Sequence, residues 1–117
     1  VVGLGSKLHE KASDLPHGDR KALDIGIALA TDPSLLLLDE PTSGMPAQES
    51  KQVMDLILSL SEEMAILLIE HKMEIVLSVS DIITVMHEGE IIAEGSPEEV
   101  KQNPEVKRAY LGGAVTC

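Results

Sequence analysis

The sequence predicts an α/β fold with a mainly parallel sheet, flanking helices and a C-terminal hairpin. Short apolar runs alternate with longer segments whose apolar residues recur at helical spacing, a pattern typical of parallel sheets with flanking helices. The 117 residues suffice for one ordinary domain or part of a larger one. Because Tyr110 is the only aromatic residue, the core must consist of aliphatic side chains and methionine.

Two helix–strand pairs are predicted in the first part of the chain. Residues 19–31 carry a wide apolar face and end before Pro33, since helix is disfavoured in the residue before a proline. Leu35–Leu38 is a sharply bounded apolar run, which predicts a strand buried on both faces. A second helix over residues 47–60 and a second strand over residues 64–70 follow.

The second part of the chain predicts a helix and then a hairpin of two strands, over residues 71–80, 81–86 and 90–93. Glu88-Gly89 supports the tight turn of this hairpin. Ser96-Pro97-Glu98-Glu99 has the cap, proline and glutamate typical of a helix start. Asn103-Pro104 ends that helix before a last short one.

Composition excludes several classes of function. The formal net charge is -11, from 9 basic and 20 acidic residues, which disfavours a nucleic-acid partner. The single cysteine, Cys117, excludes an internal disulfide and a cysteine-based metal cluster. His9, His17 and His87 have no partner at the spacing of zinc ligands. The apolar runs are far shorter than the ~20 residues that a membrane-spanning helix needs.

Three places can carry chemistry. Asp39 and Glu40 follow a buried strand, at the sheet edge where α/β proteins bind ligands. One carboxylate can hold hydrated Mg²⁺, and the other can orient or deprotonate a water. Leu15–Asp19 leads into a helix whose N-terminus favours an anion. His71 follows the second strand and can donate to a phosphate. The alternatives are a solvated acidic strand end, an ordinary helix cap and a surface histidine.

Together these segments resemble the nucleotide-binding domain of ABC transporters. Leu15-Pro16-His17-Gly18-Asp19 is similar to the signature loop, Leu35–Glu40 to the Walker B strand, Ser43-Gly44-Met45 to the D-loop and His71 to the switch histidine. The order and separations fit over essentially the whole chain, which is therefore expected to form the C-terminal part of one such domain. Three segments, around residues 69–73, 95–100 and 103–112, look like the branched-chain amino acid and urea importers.

The resemblance implies a role for each segment. Asp39 would hold Mg²⁺ through water, Glu40 would be the general base, and His71 would contact the γ-phosphate of ATP. Leu15–Asp19 would cap the ATP of a second nucleotide-binding domain in a head-to-tail dimer. Such a protein would work with transmembrane permease subunits, from the cytoplasmic face of the plasma membrane.

The sequence departs from the family in several respects. It contains no G-x-x-x-x-G-K-[ST] phosphate loop, so we expect the chain alone not to hydrolyse ATP. Pro16 stands where a serine is usual, and it supplies neither hydroxyl nor N–H. Asp19 adds a negative charge near a phosphate, and Pro46 replaces a polar D-loop residue. A non-catalytic regulatory or binding module is therefore an alternative, and a non-transport ATPase is a third possibility.

The missing phosphate-loop strand has a structural consequence. In related sheets it lies beside the strand that precedes the switch histidine. Residues 64–70 are therefore expected to have an unpaired edge, and the hairpin 81–93 is expected to be poorly anchored.

Overall fold

The computed structural model describes residues 2–110, which form five α-helices and four strands. Two turns of 3₁₀ helix, Gly5–Lys7 and Ala12–Asp14, precede α1 (His17–Leu29), β1 (Leu35–Asp39), α2 (Ala47–Ser61) and β2 (Ala65–Ile69). These are followed by α3 (Met73–Val79), β3 (Ile83–His87), β4 (Glu90–Gly95), α4 (Pro97–Gln102) and α5 (Pro104–Tyr110). The chain divides after Ile69 into two compact units. No helix within residues 2–110 has the length and apolar character needed to cross a membrane.

The first unit contains a parallel two-stranded sheet. β1 and β2 pair in register from Leu35 opposite Ala65 to Asp39 opposite Ile69. α1 and α2 pack against one another. The buried apolar side chains of these two helices and β1 are Ala22, Ile25, Leu36, Leu38, Val53, Met54, Ile57 and Leu60. The predicted order of helix, strand, helix and strand is therefore confirmed.

The expectation that β1 is buried on both faces is wrong for this structure. Leu36 and Leu38 are buried, whereas Leu35 and Leu37 are 52% and 65% exposed. In β2, Leu67 and Ile69 are each 56% exposed. A continuous apolar run marks a strand suited to cover on both faces. Residues 2–110 supply that cover on one face only, so an apolar face of the sheet is left exposed.

The predicted open edge of the second strand is present in the described part of the chain. There, β2 pairs with β1 and with no further strand. An unpaired edge exposes N–H and C=O groups to solvent or to another strand.

The second unit is built around the predicted hairpin. β3 and β4 are antiparallel, with His87 opposite Glu90 across a two-residue turn. Glu88 and Gly89 have φ angles of 50° and 84°, as a type I′ turn requires at both positions. Ile83, Val85, Val100 and Val106 form a buried cluster under the hairpin. Within this unit, α4 and α5 cover the two strands. The expectation that the hairpin is poorly anchored without the phosphate-loop strand stays a prediction.

Polar caps begin the last two helices. The Ser96 hydroxyl accepts a hydrogen bond from the Glu99 N–H at 3.2 Å, which confirms the predicted start of α4. The Asn103 side-chain carbonyl accepts from the N–H groups of Glu105 and Val106, at 2.8 and 3.3 Å. This second cap was not predicted. Residues 111 and 112 of the subgroup motif, and Cys117, lie outside the described residues.

Candidate functional site

A strained turn follows β1 and carries the two predicted carboxylates. Asp39 is the last residue of the strand, and Glu40 lies beyond it with a left-handed φ of 46°. This conformation costs a residue other than glycine about 1–2 kcal/mol. The Glu40 N–H donates to the Ile69 carbonyl at 2.7 Å, and the Glu40 carbonyl accepts from the Ser43 N–H at 3.1 Å. The backbone N–H and the backbone carbonyl of Glu40 are therefore both hydrogen-bonded where the chain reverses direction.

The sequence placed both carboxylates at the carboxyl end of the sheet, and the structure agrees. Neighbouring strand residues point to opposite faces of a sheet, but Glu40 does not follow this alternation because its left-handed φ ends the strand. Both residues are exposed, Asp39 at the end of β1 and Glu40 on the turn that follows.

The segment similar to a D-loop continues this turn. The Met45 N–H donates to the Thr42 carbonyl at 3.2 Å, which forms a second turn directly after the first. Gly44 has a φ of 72°, a conformation that favours glycine. Thr42 and Met45 are buried, whereas Ser43 and Gly44 are exposed. Two exposed residues are thus presented on a well-anchored frame.

The segment similar to a signature loop is mostly the beginning of a helix. Leu15 is buried, Pro16 is the N-cap residue, and residues 17–19 form the first turn of α1. The helix therefore begins at His17, two residues before the predicted start. Proline is compatible with the N-cap position because its fixed φ matches the -58° of residue 16, and because the helix does not use the N–H of its N-cap residue. No side-chain cap comes from Pro16 itself.

Glu49 supplies the hydrogen-bond acceptor that Pro16 lacks at the start of α1. Its carboxylate, which projects from the first turn of α2, accepts a hydrogen bond from the Gly18 N–H at 3.1 Å. The sequence analysis missed Glu49, because a residue 31 positions away gives no local signal of a cap.

Lys7 balances the charge of Asp19. The Lys7 ammonium forms an ion pair and hydrogen bond with the Asp19 carboxylate. The hydrogen bond and charge of Asp19 raise the pKa of Lys7 above its ordinary value. The Arg20 guanidinium donates to the Ser13 carbonyl, so two basic side chains tie the N-terminal segment to α1. The expected negative charge at Asp19 is therefore partly offset by a lysine that the motif analysis did not consider.

His71 belongs to the second unit, in the short segment between β2 and α3, and its side chain is exposed. Within residues 2–110, no group of three or more His, Cys, Asp or Glu side chains is arranged to hold a metal ion. A single exposed carboxylate such as Asp39 still fits Mg²⁺, which commonly keeps several waters and takes one or two protein carboxylates beside phosphate oxygens.

Several known proteins are similar to this chain in sequence. A family model described as "Branched-chain amino acid ATP-binding cassette transporter" matches residues 90–116. The high-affinity branched-chain amino acid transport ATP-binding protein LivG of Salmonella typhimurium is 43% identical over 115 residues, covering 97% of this chain and 45% of LivG. The corresponding protein BraF of Pseudomonas aeruginosa is 39% identical, with the same coverage.

A solved structure of an ABC transporter cassette has a similar fold. The ADP conformation of MJ1267, an ATP-binding cassette of an ABC transporter, matches with a TM-score of 0.84 and 34% identity. The match covers 95% of this chain and 46% of MJ1267. The chain is therefore similar, over nearly its whole length, to ATP-binding proteins of ABC transporters. Its fold is that of the P-loop ATPases.

The chain matches a C-terminal portion of the branched-chain amino acid ATP-binding proteins. It spans about half the length of the curated relatives that it matches. The predicted family resemblance and fold class are thus confirmed.

Proposed function

We propose that this chain forms the C-terminal half of a nucleotide-binding domain that hydrolyses ATP to drive solute import. The solute would be a branched-chain amino acid or a similar small polar molecule. The domain would act in a head-to-tail dimer, with permease subunits, on the cytoplasmic face of the plasma membrane. The turn at Glu40 carries this proposal, because a strained and doubly hydrogen-bonded acidic residue at the end of a parallel strand is typical of a functional site.

Asp39 is the proposed Mg²⁺ contact. Its carboxylate is exposed at the end of β1, where it would hold the ion through water. The bound ion would supply positive charge that stabilises the charge developing on the phosphate.

Glu40 is the proposed general base. A carboxylate at this position would orient the attacking water and accept its proton. The hydrogen bonds of its backbone to Ile69 and Ser43 fix where the side chain starts, which matters because phosphoryl transfer depends mainly on positioning.

The remaining residues are proposed to contact phosphate or the opposite domain. His71 would donate a hydrogen bond to the γ-phosphate and help to hold the water. Leu15–Asp19 would cap the nucleotide of the second domain, and Ser43-Gly44-Met45 would form the adjoining contact between domains. The exposure of Ser43 and Gly44 on an anchored turn supports that last role.

The 117-residue sequence contains no phosphate loop, so the proposed activity requires a partner segment that supplies one. A chimaera provides it: this chain replaces the matching 45% of Salmonella typhimurium LivG. We expect the chimaera, but not the isolated chain, to hydrolyse ATP. Glu40→Gln keeps the side-chain shape but removes the base, and should lower kcat by about 10²–10⁴-fold.

Glu63→Gln is the matched control, since it removes an exposed carboxylate just beyond the end of α2. It should leave ATP turnover unchanged. Equal activity of the Glu40→Gln and parent chimaeras would contradict the proposal.

Pro16 favours a second candidate function, a binding module that does not hydrolyse ATP. It caps α1 with no side-chain hydrogen bond, and each lost bond to a charged phosphate costs about 1.5–3 kcal/mol. Pro16→Ser in the chimaera should therefore raise ATP turnover if the site is catalytic. An unchanged rate would favour the binding module.

A further inference from the structure

We propose that Glu49 is a positioning residue that caps α1 from α2 and thereby holds the segments 15–19 and 43–46 in a fixed relation. This role rests on the proposed function, in which both segments face the nucleotide or the opposite domain. Glu49 matches none of the motifs in the sequence, and only the folded chain brings it to Gly18.

The N-terminus of α1 needs an acceptor that its own cap residue does not provide. The first four N–H groups of a helix have no partner within the helix. A serine or aspartate at the N-cap accepts from the second or third residue of the helix. Gly18 is the second residue of α1, and its N–H is bonded to Glu49 instead. The Glu49 carboxylate therefore takes the place of the missing side chain of residue 16.

The close approach of the two helices at this point supports a specific contact. A Cβ atom added to Gly18 would lie 3.4 Å from both Cβ and Oε2 of Glu49. Glu49 is half-buried, which reduces screening by solvent. A carboxylate at a helix N-terminus also interacts favourably with the helix dipole, and its hydrogen bond to an N–H is charge-assisted.

Glu49 is also linked through α2 to the segment 43–46. Glu49 is the third residue of this helix, which Pro46 caps. The Ser50 N–H donates to the Pro46 carbonyl at 2.9 Å, so the first turn of α2 is formed directly after the segment 43–46. The link from Glu49 to Gly18 thus joins the start of α1 to the end of that segment.

Amide hydrogen exchange measured by NMR on the full 117-residue chain tests this inference. Glu49→Ala should speed exchange of the Gly18 amide about tenfold, the change expected for the loss of ~1.4 kcal/mol. Glu49→Gln keeps an acceptor oxygen and should restore most of the protection. Gln48→Ala, a change of the preceding exposed residue in α2, should have no effect.

A double substitution separates a cap from general packing. Pro16→Ser offers Gly18 a local acceptor, so Glu49→Ala should speed Gly18 exchange much less in that background than in the parent. An unchanged Gly18 exchange rate in Glu49→Ala, or an equal increase in both backgrounds, would overturn the inference. If Glu49→Ala does not fold, an unshifted Gly18 amide resonance in Glu49→Gln would overturn it instead. None of these readouts depends on ATP, so failure of the proposed function would leave them interpretable.

Discussion

The two units of this chain differ in how completely they bury their apolar side chains. In the second unit, Val100 and Val106 are fully buried beneath the hairpin. In the first unit, β1 and β2 bury one face, while Leu35, Leu37, Leu67 and Ile69 remain more than half exposed on the other. The hairpin is covered by the helices that directly follow it, whereas a parallel sheet needs cover on both faces from separate segments.

Helix capping shows the same difference. In the second unit, Ser96 and Asn103 cap α4 and α5 from the adjacent position in sequence. In the first unit, the N-cap residue of α1 is a proline, and the Gly18 N–H donates to the carboxylate of Glu49, 31 residues away. The start of α1 in the first unit therefore depends on a contact between distant residues, which also links the segments 15–19 and 43–46.

The largest expected effect comes from neighbouring leucines on opposite faces of β1. Leu36→Ala should lower the free energy of unfolding by about 2–5 kcal/mol, because it leaves a cavity beside buried side chains. Leu37→Ala should cost less than about 1 kcal/mol, because that side chain is already largely in solvent. Urea denaturation of the isolated chain measures both. Equal losses would mean that the second face is also covered in solution.

A smaller effect is expected in the second unit. Val106→Ala removes two buried carbon atoms and should cost about 2 kcal/mol. Because the units have separate cores, amide exchange should speed up in β3 and β4 but not in β1 and β2. An equal increase in both sheets would show that the two units unfold together.

The smallest expected effect concerns the ion pair of Lys7 and Asp19. The pKa of Lys7 is raised in the folded chain, so the pair stabilises the fold below the ordinary lysine pKa of 10.5. That contribution is lost as the pH rises through the raised pKa. Parent and Lys7→Met chains should therefore differ in unfolding free energy at pH 8 and converge at strongly alkaline pH.

Lys51→Met is the control for that measurement. Lys51 pairs with Asp55 at 3.9 Å, with side chains 80% and 64% exposed, against 33% and 25% for Lys7 and Asp19. The substitution at Lys51 should have the smaller effect at pH 8. A difference between parent and Lys7→Met that persists at alkaline pH would rule out the charge as its source.

Local patterns were sufficient to predict most elements of the fold. The proline before β1, the Glu88-Gly89 turn and the Ser96 cap each act on adjacent residues, and each appears in the structure. The apolar run Leu35–Leu38 correctly predicted that this segment is a strand. It did not indicate whether one or two faces would be covered, since that depends on which other segments reach the sheet.

The candidate site was predicted less completely. Asp39 and Glu40 could be placed from the end of a strand, but the left-handed turn at Glu40 required the hydrogen bonds to Ile69 and Ser43. Glu49 and Lys7 could not be found from spacing, because they reach Gly18 and Asp19 only through the packing of α2 and the N-terminal segment.

The central claim is that β2 presents an open edge to a phosphate-loop segment, and hydrogen exchange at that strand tests it most directly. The Ala65 N–H and the Ile69 carbonyl are bonded on the side of β1, so the N–H groups of Ile66 and Leu68 point to the open edge. In the isolated chain, these two amides should exchange quickly and that of Leu67 slowly. Adding the N-terminal half of LivG should slow exchange at Ile66 and Leu68. Full protection of residues 64–70 in the isolated monomer, or no change on adding that half, would contradict the account.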